Sequence, residues 1–397
     1  MLLTVSSLSQ AAQQTPARGA RPVPSADMLA VCATRTSGAD CAATDSRGIS
    51  ISGTCLAPPG RPLACRPADQ PAGGTFPAGD QDRGESLPTP HNVEPGTVIE
   101  STRANTDRVL CGLTSRGTNP TLGIASTVAW TCTAEFRQLI ANGIPGHAIG
   151  AFPNAGNPNR VSPQSVDASI PLNPVKTTRA TPLGGPQGTV AFALNGVKFD
   201  PGTGGSCATS VTSPRQCDLG AGRDPWRIEA LGQSTFDFGV DGNNAHVQPD
   251  GAYHYHGLPT GLMRQANISG REMQLIGWAS DGFPVYSKFG RSDAMNAASA
   301  LRVMNPSFRM KANPDAGRPA ISLIPMGAFG QDYEYVAGLG DLDECNGRFD
   351  VTPEFPKGIY HYYATDAYPY VQRCVKGQPQ VHPVQRGPRG GPGRSDS

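Results

Sequence analysis

The run Tyr253-His254-Tyr255-His256 constrains this chain more than any other stretch. Two residue types with opposite chemistry alternate one by one. Only an extended strand sorts such an alternation, because successive side chains leave a strand on opposite faces. Asp250-Gly251 before the run and Gly257-Leu258 after it are turn-like bounds. His254 and His256 then share one face and Tyr253 and Tyr255 the other. Two imidazoles at that spacing can reach a single ion.

The rest of the chain has the texture of a β protein. Gly 48 and Pro 38 of 397 residues punctuate it with turns and leave little room for long helices. Gly188 to Asp200 reads as a hairpin around Asn195-Gly196, residues that tolerate the positive φ of a type I′ turn. Met273 to Tyr286 repeats the pattern around Asp281-Gly282, and Asn346-Gly347 and Lys357-Gly358 mark further turns. Val109–Leu113 and Thr127–Cys132 read as strands. Glu135 to Gly143 reads as a short helix closed by Asn-Gly, and Ala294 to Leu301 as another. Residues 144–188, rich in Pro, Asn and Gly, read as irregular backbone laid over a sheet. The expected fold is mainly β: a turn-rich, antiparallel, sandwich-like domain with few short helices, stapled by disulfides.

The ten cysteines carry no Cys-x-x-Cys pair, which favours disulfides in an oxidising compartment over a zinc site. Pairing of sequence neighbours gives 207–217, 345–374 and 111–132, with two small loops at the N-terminus. Connectivity itself is not deducible from spacing. Residues 1–104 read as a low-order, Pro/Gly/Ser-rich arm with four cysteines, 105–378 as the β-rich domain and 379–397 as a disordered tail whose Arg386, Arg389 and Arg394 are solvated. Met1 to Gln13 lacks the basic and long apolar regions of a secretory signal. The expectation is an exported protein, periplasmic or extracellular, whose signal segment is truncated or mis-started here. No apolar run reaches the length of a membrane span. The balance of 33 basic and 32 acidic side chains gives no reason to expect nucleic acid as a partner.

Several stretches together resemble the YHYH family of mostly bacterial, largely exported proteins. They are Asn142 to His147, Phe152-Pro153-Asn154, Asn195 to Thr203, Trp226 to Leu231 and Asn243 to Pro249 leading into the Tyr-His-Tyr-His run. Gly277 to Tyr286, Leu342 to Phe349, Tyr360-His361-Tyr362 and Tyr368-Pro369-Tyr370 complete the set, which spans about 108–377. The resemblance implies a β-rich domain in an exported protein; it supplies no reaction, substrate or ligand set.

Three readings of function follow. The first is a His-centred divalent-metal site formed by His254 and His256, with His246 across the Gln-Pro-Asp-Gly turn as third ligand. His361 is a further candidate, because Gly358 to Tyr363 echoes Gly251 to His256 and two such strands can lie side by side. His147 could also approach. Asp250, Asp241 and Asp281 could add oxygen ligands or orient an imidazole. Three histidines suit zinc or copper. Calcium fits less well, since Asp341 to Gly347 has Cys345 where an EF-hand loop needs Asp or Asn. The competing reading is a two-faced strand with packed tyrosines and hydrogen-bonded histidines. The second is a metal-dependent hydrolase, because no nucleophile elbow is present and the catalytic group would be an ion-activated water. The third is a non-catalytic surface module whose Tyr362, Tyr363, Tyr368 and Tyr370 stack on glycans. No organic cofactor site is expected.

Overall fold

The computed structural model describes residues 29–36, 39–44, 50–56, 64–67, 98–106, 108–220, 222–266 and 271–379. The expected signal remnant and the C-terminal tail lie outside the described residues. The chain divides into two compact units, Met1–Thr89 and Pro90–Ser397.

In the first unit, strands Asp40–Thr44, Ser50–Leu56 and Ala64–Pro67 form one antiparallel sheet. Its cysteines pair as Cys32–Cys55 and Cys41–Cys65. The two links cross in sequence rather than closing two neighbouring loops, and the four half-cystines are themselves the buried cluster. A unit this small cannot bury enough apolar surface, so covalent staples replace a core.

The second unit is built on an eight-stranded sheet. Its strands, in chain order, are β1 (Ala191–Ala193), β2 (Lys198–Phe199), β3 (Ala245–Val247), β4 (Tyr253–Tyr255), β5 (Leu275–Ala279), β6 (Pro284–Tyr286), β7 (Gly347–Asp350) and β8 (Ile359–Tyr363). Their spatial order is β3-β4-β2-β1-β5-β6-β8-β7. Two pairs, β2–β4 and β6–β8, are parallel, and the rest are antiparallel. Both expected hairpins are present. In the first, only Gly196 takes a positive φ, so the turn is not type I′. A Cβ there would lie 2.4 Å from that of Ala141, which excludes any larger residue.

A second, four-stranded sheet contains Thr114–Thr118, Ala125–Cys132, Phe136–Ala141 and Val166–Pro171. Its Trp130, Leu139, Ala168 and Ile170 share a core with Leu275, Trp278, Tyr286 and Tyr363 of the large sheet, giving the sandwich-like arrangement. Phe136–Ala141 is therefore a strand, not the expected helix. Thr133 Oγ1 accepts from the Phe136 N–H and closes a hairpin, and Arg137, Leu139 and Ala141 are buried alternately. Buried Arg137 lies 3.7 Å over the Trp278 ring and donates to the carbonyls of Val109 and Thr106. A charged residue in the inward position hides the period of two. Residues 109–113 form turns rather than a strand, and 294–299 form turns rather than a helix. Helices are short, as in Thr260–Gln265. Disulfides Cys111–Cys132, Cys207–Cys217 and Cys345–Cys374 join sequence neighbours. No described helix is long and apolar enough to cross a membrane.

Candidate metal centre

Strand β4 is buried on both faces, and its side chains sort as the alternation requires. Tyr253 and Tyr255 lie on one face with ring centroids 5.8 Å apart. Tyr253 Oη donates to Asp241 Oδ2 at 2.8 Å. Tyr255 Oη lies 2.6 Å from His147 Nε2 and accepts from Asn195 Nδ2 at 2.9 Å. His147 Nδ1 faces the Ala148 carbonyl at 2.9 Å, so its Nε2 accepts the tyrosine proton. His147 thus belongs to the tyrosine face and not to the imidazole cluster.

On the opposite face His246, His254 and His256 meet. His246 pairs directly with His254 across the β3–β4 ladder, brought back by the Gln248–Gly251 turn. Nε2 of His256 lies 2.9 Å from Nε2 of His254 and 3.0 Å from Nε2 of His246. All three are almost completely buried. Their Nδ1 atoms face backbone carbonyls: His246 that of Phe238 at 3.0 Å, His254 that of Ala252 and His256 that of Pro201, each at 3.2 Å. A carbonyl only accepts, so each Nδ1 carries the hydrogen, and in a neutral imidazole Nε2 is then the bare lone pair.

The His256 lone pair therefore faces those of His246 and His254 at hydrogen-bond distance, with no hydrogen between them. Such a cluster repels itself unless a cation sits at its centre. A proton is a poor candidate. Burial pushes the His254 and His256 pKa values well below the ordinary imidazole value, and that of His246 below it. His254 is further disfavoured as a cation by His246 and His256, and His256 by His246 and Arg373. Zinc–nitrogen bonds of about 2.0–2.1 Å in a tetrahedron place the nitrogens about 3.3 Å apart, so ring shifts of a few tenths of an ångström would admit an ion. The Nδ1–carbonyl bonds are the outer contacts that orient ligating imidazoles.

Residues that sequence reasoning missed surround the cluster. Lys198 pairs with His254 across the parallel ladder. Its Nζ donates to Gln248 Oε1 at 2.6 Å and lies 3.8 Å from Asp200 Oδ2. Gln248 Nε2 donates to the same Asp200 oxygen at 3.0 Å. Only the ladder register reveals this polar rim.

The other predicted site residues lie elsewhere. His361 is on β8, separated from β4 by four strands, about 24 Å at ordinary strand spacing. The two like strands do not lie side by side. Asp241 is held by the Gly150 and Asn243 N–H groups and by Tyr253, on the tyrosine face. Asp250 caps its own turn through the Ala252 N–H. Asp281 accepts from Tyr362 Oη at 2.6 Å and the Gly377 N–H at 2.8 Å, with burial raising its carboxyl to about 6. Tyr362 and Tyr363 are fully buried. Tyr368 is stacked flat on Tyr333 at 3.9 Å with Arg373 5.1 Å from its ring, so its faces are occupied within the fold, and half-buried Tyr370 stands edge-on to it at 6.4 Å. A further proximity of Cys32, Cys41 and Cys55 reflects disulfides and not ligands.

A model of the family described as "YHYH protein" matches residues 167–377, more than half of the chain. The chain belongs to the YHYH family. The matched region holds the whole eight-stranded sheet and all three clustered histidines. No curated protein and no solved structure matches the chain.

Proposed function

We propose that this YHYH protein is an exported divalent-metal-binding protein whose ion is held by Nε2 of His246, His254 and His256. The observation that carries the reading is the fixed tautomer of all three rings, which leaves three converging lone pairs and no hydrogen among them. An all-imidazole set suits Zn²⁺ or Cu²⁺. With every cysteine of the described residues in a disulfide, export to an oxidising compartment accords with the same reading.

Three protein nitrogens leave a tetrahedral ion one further position. With the Lys198–Gln248–Asp200 rim beside it, that favours a second reading, a metal-dependent hydrolase in which the ion activates water. Titration of chelator-stripped protein with Zn²⁺ and Cu²⁺ tests the first reading. His254→Ala and His256→Ala should each weaken binding at least 100-fold. Unchanged affinity in both variants would refute it. A panel of ester, amide, phosphoester and glycoside substrates, before and after chelation, tests the second. Metal-loaded protein with no chelator-sensitive turnover would rule that out.

A further inference from the structure

The order of the large sheet reads the same from both ends. Strands β1–β4 form antiparallel hairpin β1–β2, parallel pair β2–β4 and antiparallel pair β3–β4; β5–β8 repeat each pairing. The halves meet at β1–β5, where Ala191 faces Ala279, Phe192 faces Trp278 and Ala193 faces Gly277. That register is symmetric about the Phe192–Trp278 pair.

The likeness extends to individual hydrogen bonds. Gly196 and Gly282 both take positive φ in the hairpin turns, and their N–H groups donate to Ala193 and Ala279 at 2.8 and 2.9 Å. The preceding Asn195 and Asp281 each bond the second tyrosine of the motif, Tyr255 and Tyr362. Asp241 and Asp343 each accept from the first tyrosine, Tyr253 and Tyr360, at 2.8 Å. Asn244 and Asn346 are non-glycine residues at φ 55° and 60°, and their carbonyls accept from the N–H of His256 and Tyr363. His254 and His361 both direct Nδ1 at the carbonyl two residues earlier. Unrelated strands would not share so many local devices in one order.

We infer that the sheet is an internal duplication and that its second half carries the counterpart of the histidine centre, with an arginine and a tyrosine in place of two of its three imidazoles. The inference rests on the metal reading of the first centre. Ladder pairing equates His246 with Arg348 opposite His361, and the motif equates His256 with Tyr363. Counting two residues on from each equates Gln248 with Asp350. In the second centre His361 Nδ1 gives its hydrogen to the Ile359 carbonyl and Nε2 faces Asp350 Oδ1 at 3.2 Å, neither of these two atoms having a hydrogen-bond partner among the described residues. Asp350 Oδ2 accepts from Tyr363 Oη at 3.0 Å and lies 3.4 Å from Arg348 Nε. With Arg348 and Tyr363 in place of two imidazoles, and Arg348 beside Asp350, this centre keeps a single ring, takes no divalent ion, and the chain binds one rather than two.

The test exchanges the centres in the full-length chain and titrates Zn²⁺ against a chromophoric chelator. Wild type is expected to bind one equivalent. Arg348→His/Asp350→Gln/Tyr363→His should bind two, falling to one when His254→Ala/His256→Ala is added. A folded triple variant that still binds one equivalent overturns the inference, whereas wild type binding none overturns the metal reading instead. The reverse exchange, His246→Arg/Gln248→Asp/His256→Tyr, covers a misfolding triple variant. It should fold, bind no Zn²⁺ and melt at a temperature unaffected by chelator. If neither exchange folds, the centres are not interchangeable and the inference fails.

Discussion

At one end of the eight-stranded sheet three imidazoles meet with their lone pairs facing inward. At the other, Arg348, His361 and Tyr363 occupy the matching positions, with Asp350 where the first half has Gln248. The backbone around them is alike, down to the left-handed asparagines and the aspartates that hold the first tyrosine. The difference lies in whether the buried positions hold three imidazoles or an arginine beside an aspartate. Polar groups removed from water must be satisfied where they stand. The second half does this for Tyr363 and Arg348, which share Asp350 Oδ2. The first half turns three imidazole Nε2 atoms toward one another.

The sharpest contrast concerns dependence on the ion. Asp350→Ala would leave Tyr363 Oη and Arg348 without their shared acceptor, at a cost of about 3–5 kcal/mol. Urea unfolding should show that loss equally with and without chelator. Stripping the ion should instead destabilise wild type by about 3–4 kcal/mol when the ion is present at 100 to 1,000 times its Kd. His254→Ala/His256→Ala should abolish that response to chelator. Chelator sensitivity in the wrong member of this pair would break the comparison.

Acid should also distinguish the halves. Burial lowers the imidazole pKa values of the first centre in the folded protein. The unfolded chain therefore binds more protons below about pH 6.5, and stability present above that value is lost as pH falls. In the second centre burial takes His361 down to about 3, which acts in the same direction, but raises Asp350 to about 6. The Asp350 contribution has the opposite sign: it is present at low pH and lost as pH rises through about 6. The two offset one another between roughly pH 4 and 6. Melting temperatures of chelator-treated protein across this range should fall steeply in wild type and less in His254→Ala/His256→Ala.

The smallest effects should be equal in the two halves. Tyr255→Phe removes the partner of His147 and Asn195, and Tyr362→Phe that of Asp281 and the Lys376 N–H. Each should cost about 1–3 kcal/mol without altering metal stoichiometry. A large metal effect from either would mean that the tyrosine and histidine faces are coupled.

Strand β4 was legible because a period of two is written in four residues, and the turn after His246 because Gln-Pro-Asp-Gly admits little else. The resemblance between Gly251–His256 and Gly358–Tyr363 was legible as well, but it does not imply adjacency. In a sheet with an internal two-fold, like strands lie at like distances from the axis, which sends His361 to the far end. Lys198, Asp200 and Gln248 could not be placed without the β2–β4 register, which sequence does not record. Arg137 concealed a strand because its guanidinium is held by carbonyls and a ring remote in sequence, and the crossed N-terminal disulfides have no signature in spacing.

The most direct measurement is elemental analysis of untagged protein purified from an oxidising compartment, beside His254→Ala/His256→Ala. About one equivalent of zinc or copper per wild-type chain, absent from the variant, is the predicted result. Folded wild type that carries no ion and takes up neither metal on reconstitution would contradict the account and return the three imidazoles to sheet packing.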